Sequence, residues 1–232
     1  MRRGRRLGAT LLAAGLALAS AAGCAPPDDS PPPVPWPAGT AFAVGGEPVS
    51  AAAVERAAAR VALIYPQRSR SHHVRRALQS QVLPRAALGV VYAESRSEAE
   101  AACRATADAL HAGGEPPADR PVNAVRGNWG DLRLFYWGIA RELELGAWSD
   151  PVERMGHFAL VQLIERSDSE RRGADEELSI RVVEFPYLPV GFAPKDLDEA
   201  LASVRLIVVD PAYEPFVPED LRYRMIGRKK DE

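Results

Sequence analysis

Apolar and polar positions repeat with a helical period over the first half of this chain and with a strand period over much of the second. Ala41, Phe42, Ala43 and Val44 form a short apolar strand candidate, closed by the turn pair Gly45-Gly46. Ser50 then stands where an N-cap belongs for a helix over 51–64. Val54, Ala57, Ala58, Val61 and Ile64 share one face of that helix, while Glu55, Arg56 and Arg60 lie mostly off it. Tyr65-Pro66 ends it, because proline disfavours helical geometry in the residue before it. A polar loop over 67–71 leads to a second helix over 72–83. Pro84 either breaks or kinks that helix or opens the next one as its first residue. Residues 85–110, rich in alanine with interleaved Arg and Glu, predict helix by intrinsic propensity. Within them, Leu88 to Tyr92 also fits a short buried strand, with helix the preferred reading. Gly113-Gly114 and Pro116-Pro117 mark a break.

Beyond a loop containing Gly127 and Gly130, residues 139–145 predict a short helix stopped by Gly146. The apolar, β-branched run 158–164 predicts a strand. Leu178, Ile180 and Val182 alternate with Ser179 and Arg181, the pattern of a half-buried strand. Residues 195–203 read as helix and 204–209 as extended. The run 210–225 carries three prolines and is expected to wrap the surface through Tyr213, Phe216 and Tyr223, ahead of a frayed charged tail. The expected class is α+β: a helical N-terminal part over 41–115, a small sheet domain over 116–190 and an irregular C-terminal extension over 191–232.

The first forty residues belong to neither pattern. Arg2, Arg3, Arg5 and Arg6 precede an uncharged stretch from Leu7 to Gly23, made mostly of leucine, alanine and glycine, the order of an export signal. The stretch is shorter than the roughly 20 residues a helix needs to span lipid. Ala21, Ala22 and Gly23 before Cys24 resemble the lipobox of bacterial lipoproteins. That resemblance implies cleavage of 1–23 and lipidation of Cys24, with two or three acyl chains giving the stable anchoring that one cannot. Residues 24–40 form a proline-rich tether, whose stretch from Ala25 to Gly39 is extended and roughly 40–45 Å long at about 3.1 Å per residue. The expected location is extracytoplasmic and membrane-anchored. In a cell with two membranes Ala25, which is not aspartate, favours the periplasmic face of the outer one.

Cleavage removes four arginines and no acid, so the formal charge falls from −2 to −6. An acidic domain is poorly suited to nucleic acid, whose phosphates are held mostly by Lys and Arg. Cys103, the one thiol left beside the anchor, sits in an alanine-rich run and reads as a small core residue. His72-His73 reads as a solvated pair and His111 as a helix-end residue. The charged stretch 165–177 reads as a solvated hairpin tip, and Asp196, Asp198 and Glu199 as acids complementing a helix start. No phosphate loop, nucleophile elbow or zinc spacing occurs, and neither a metal nor a cofactor is expected.

Two segments together resemble the parvulin-type peptidyl-prolyl isomerases and chaperones of the bacterial envelope. The first is the strand, turn and helix that follow Phe42. The second runs from Gly127-Asn-Trp-Gly-Asp-Leu132 through Gly146-Ala-Trp-Ser-Asp-Pro-Val-Glu153 to Gly156-His-Phe-Ala-Leu-Val-Gln-Leu163. It is similar to the family's Gly-Asp-Leu turn, helix, Ser-x-Pro-Val corner and glycine-entered strand. The resemblance implies a groove for unfolded or proline-containing segments of exported proteins, lined by Phe158, Phe135, Trp148 and Met155. The chain departs from the family on the site itself. The family's histidine two residues after the strand-entry glycine is Phe158 here, with His157 one place early as the candidate catalytic residue. If 88–92 is the family's first strand, Gly89 or its neighbour replaces a second histidine. The segment between Asp131 and Ser149 is also short of the part that would carry a Met and a Phe. Rotating an X-Pro amide against about 18–20 kcal/mol needs an apolar grip and a polar setting for the twisted state. The implied function is therefore a chaperone with weak or lost isomerase activity, or else a noncatalytic assembly protein of the envelope.

Overall fold

The computed structural model of the protein describes residues 36–167 and 175–226, which belong to one compact unit. The signal segment, Cys24, most of the tether, the centre of the charged hairpin and the tail lie outside the described residues. The architecture is α+β, with two antiparallel sheets.

Strand β1 (Thr40–Val44) is buried along its whole length and pairs with β2 (Glu47–Ser50) through Gly45 and Gly46, both at positive φ. Ser50 caps α1 (Ala51–Ile64), its hydroxyl accepting the N–H of Ala53 at 3.2 Å. Val54, Ala57, Ala58 and Val61 face the core, and the helix ends at Tyr65. The next helical run is continuous: α2 (Arg70–Ala77), a π-helical turn (Leu78–Val82) and α3 (Leu83–Val91). Pro84 does not break the run; it stands in the first turn of α3, directly after the π turn. Its ring would clash with the carbonyl one turn back in a regular helix, and the wider π turn there accommodates it. The stretch 88–91 is helical, so it is not a first strand. Tyr92 interrupts the helix before α4 (Ala93–His111).

The second sheet has the order β3-β6-β5-β4, from strands Val122–Gly127 (β3), Val152–Arg154 (β4), His157–Arg166 (β5) and Leu178–Pro186 (β6). Its central strand β6 comes late in the chain. The exposed β3 falls where the sequence pattern places a loop, and pairing with β6 makes it a strand. Helix α5 (Trp129–Ala140) replaces the helix expected over 139–145: it begins ten residues earlier, where Asn128 and Asp131 form a capping box, and it ends at Ala140, well before the expected stop at Gly146. One face of the sheet packs on α4 through Phe158, Leu160, Val183 and Phe185. The other packs on α5 through Val161, Leu163, Ile180 and Val182.

The chain from 191 is more regular than its prolines suggest. It forms α6 (Pro194–Ser203), β7 (Leu206–Val208), a 3-10 turn (Pro211–Phe216) and α7 (Glu219–Ile226). Strand β7 pairs with β1, so the extension shares the core of the N-terminal helices, with Tyr213 buried against Phe42. No described helix is long and apolar enough to cross a membrane.

Two polar residues are more engaged than their sequence context implies, while Cys103 is the core residue its context predicts. His73 is buried and donates from Nε2 to the Tyr65 carbonyl at 2.8 Å, while its neighbour His72 is exposed. Glu176, in the hairpin expected to be solvated, is only 8% exposed. It accepts from Arg141 at 2.8 Å and Arg166 at 2.6 Å. Cys103 is a buried core thiol, with burial pushing its pKa up to about 12.

Candidate functional site

Strand alternation divides the residues expected to form one groove. Phe158 is 4% exposed and packs on the α4 face, with Tyr187 6.1 Å away and the Arg96 guanidinium 5.6 Å over its ring. Trp148 packs against that same core, and its carbonyl accepts from His111 at 3.2 Å. Phe135 and Met155 instead line a cleft between α1, the π turn, the start of α5 and β4. Neither Phe158 nor Trp148 borders that cleft. The expected four-residue groove is thus corrected to two: Phe135 and Met155 share a surface, and Phe158 is core.

His157 points to the α5 face, where its Nε2 lies 2.7 Å from the Tyr136 hydroxyl. Tyr136 donates to the Glu184 carboxylate, which is itself 3.5 Å from His157. The Arg154 guanidinium stacks over the Tyr136 ring at 5.2 Å. Burial, then Glu184, raises the Tyr136 pKa, so the phenol stays protonated and is no base. Burial lowers the His157 pKa below its ordinary 6.5, outweighing the opposing pull of Glu184. As pH falls below about 6.5, unfolded His157 binds a proton that the folded form resists, so stability declines until the lower folded pKa is passed. Urea unfolding at stepped pH should show this decline in the native chain and a shallower one in His157→Gln. Equal slopes would mean that His157 is not the titrating group.

The cleft encloses about 300 Å³. Its apolar lining includes Val61, Ile64, Trp129, Leu134, Phe135 and Met155. Six arginines also line it: Arg56 and Arg60 from α1, Arg76, Arg85, Arg133 and Arg154. Among the described residues Glu153 is the one acid in the wall, and its carboxylate is taken by Arg96 at 2.7 and 2.9 Å. Arg96 reaches it across Gly89, where a Cβ would stand 3.2 Å from the Arg96 side chain. Arg60 lies across Gly138 of α5 in the same way, at 3.3 Å, with its guanidinium 5.7 Å from the Phe135 ring centre.

No family model, curated protein or solved structure matches the chain. The site has to be read from its own chemistry.

Two readings of the local chemistry differ in what they require. Catalysis by His157 requires the ring to reach a substrate, and Tyr136 and Glu184 already engage it on the face of the sheet covered by α5. Binding requires an open concavity with convergent polar groups, which the cleft supplies. The arginines escape a reading of the sequence because they come from separate elements. One local signal is present: Arg56 and Arg60 are four apart, beside the small residues Ala53 and Ala57, so they share a stripe of α1 with space in front of it. Arg133 is hidden for another reason. It sits inside α5 at φ 60°, a backbone break that its sequence does not announce.

Proposed function

We propose that this protein is an extracytoplasmic lipoprotein, anchored through Cys24, that binds unfolded or proline-containing segments of exported proteins as a chaperone. Isomerase turnover on this reading is weak or lost. The observation that carries the reading is the cleft itself, a partly apolar trough with Phe135 and Met155 on its wall and room for a few side chains. The resemblance of the region 127–163 to parvulin domains supplies the kind of client. Burial of Phe158 and the engaged state of His157 support binding without efficient turnover, since neither is positioned to grip or polarise a prolyl amide.

An NMR exchange measurement on an X-Pro peptide, paired with suppression of aggregation of an unfolded protein, tests this. Exchange is expected to stay near the uncatalysed rate, whereas aggregation is suppressed and Phe135→Asp weakens that suppression several-fold. Rapid exchange that disappears in His157→Ala would make the protein an isomerase and overturn the noncatalytic part. Absence of any effect on unfolded clients would overturn the chaperone reading. Capture of a single folded envelope protein would then favour a docking role.

A further inference from the structure

We propose that the cleft selects acidic segments: it takes a glutamate or aspartate side chain of the bound peptide among its arginines, with a neighbouring apolar residue against Phe135 and Met155. This inference rests on the peptide-binding reading above and adds what the peptide must carry.

The charges that meet in the cleft do not balance. The whole chain is slightly acidic, yet the cleft gathers six arginines around a single carboxylate. That carboxylate, on Glu153, already accepts two hydrogen bonds from Arg96, which is not a lining residue, and a third from Tyr187 at 3.3 Å. Among the described residues none of the six lining arginines has a carboxylate within 4 Å, although ion pairs are common elsewhere on the surface. Arg154 stacks on Tyr136, but its Nη1 is buried with no hydrogen-bond partner. Arg85 reaches only a backbone carbonyl, that of Glu153, at a long 3.4 Å. Burial, with Arg85 and Arg56 nearby, makes Arg60 harder to protonate than an ordinary arginine, against the pull of Glu142. Gathering like charges in a partly dry trough is unfavourable unless an anion arrives to offset it.

Guanidinium groups match carboxylate in planar, two-pronged geometry, which makes arginine the suited partner for an acidic side chain. The apolar share of the wall argues against a bare small anion as the preferred occupant. An inorganic ion would leave Trp129, Phe135 and Met155 facing water. A peptide side-chain pair, one acidic and one apolar, satisfies both kinds of surface.

The test uses the full-length chain and two labelled peptides, identical except that one has Glu and the other Gln between Leu and Phe. The Glu peptide is expected to bind at least about tenfold tighter at low salt, the scale of one charge-assisted hydrogen bond. That margin should shrink several-fold as salt rises, since partly exposed charges are screened. It should also vanish in Arg60→Gln combined with Arg85→Gln, while the weaker binding of the Gln peptide persists. The salt arm needs no variant, so a poorly folding double substitution does not blunt the test. Equal binding of both peptides overturns this inference and leaves the peptide-binding reading standing. Binding of neither peptide overturns both. Binding of citrate or phosphate with no peptide affinity makes the cleft a small-anion site and overturns the inference.

Discussion

Phe158→Ala should lower stability by about 3–5 kcal/mol while leaving peptide affinity per folded molecule unchanged. The residue occupies the position where the parvulin resemblance implies a catalytic histidine, so the two readings of it part company here. A groove wall would lose binding and keep its fold. A core residue would do the reverse. The ring is enclosed by Leu160, Phe185 and Tyr187 on the α4 side and carries the Arg96 guanidinium above it. Truncation removes the transfer energy of the ring, leaves a void that close-packed neighbours fill only partly, and strips Arg96 of its cation–π partner. At roughly 2–4 °C per kcal/mol for a domain of this size, the melting temperature should fall by of the order of 10 °C. Differential scanning fluorimetry and peptide titration on the same sample read both quantities. Lost affinity with an unchanged melting temperature would return Phe158 to the groove.

The next largest effect is expected at Gly156, in the turn between β4 and β5. Its φ of +83° is a conformation that costs an L-residue about 1–2 kcal/mol. A Cβ there would also stand 2.2 Å from Leu188 Cδ1 and 2.7 Å from Leu188 Cγ. Because Cγ as well as the chain end is struck, Leu188 cannot simply swing aside, and overpacking adds about 1–3 kcal/mol. The Gly156 carbonyl accepts from Tyr187 and Leu188, so any backbone shift loosens that contact too. Gly146 is the matched control, with φ +82° and nothing within 4 Å of where its Cβ would stand. Gly156→Ala should therefore lose about 2–5 kcal/mol, and Gly146→Ala only the backbone share. Denaturant midpoints for the two variants separate strain from clash. Equal losses would show that Leu188 yields freely.

Elements governed by neighbouring residues are legible in the chain. Ser50, Tyr65-Pro66 and the Gly45-Gly46 pair set the limits of α1 and the turn before it, and each acts through bonds a few residues away. The alternation over 178–182 in β6 is also readable, as is the continuous apolar run of β5, which is buried on both faces. What escapes are features decided at a distance. β3 is exposed along most of its length and is a strand because β6 lies beside it. The segment 88–91 is helical because Leu88 packs toward α4 and the sheet rather than joining an edge. The expected groove fails over Phe158 because a family pattern carries residues across without regard to which face of β5 each takes. The arginine cleft is invisible in the sequence for a related reason, as its members meet only after the helical layer lies against β4.

Strand β1 is enclosed between β2 and β7, so residues near 42 cannot complete their hydrogen bonds until residues near 208 arrive. That pairing spans most of the molecule and carries a correspondingly high loop-closure cost. A ribosome-bound chain would hold Phe42 and Val44 without their β7 partner until the C-terminal residues emerge. Folding of the N-terminal layer is thereby tied to arrival of the C-terminal one, so the first core closes only once most of the protein has been synthesised.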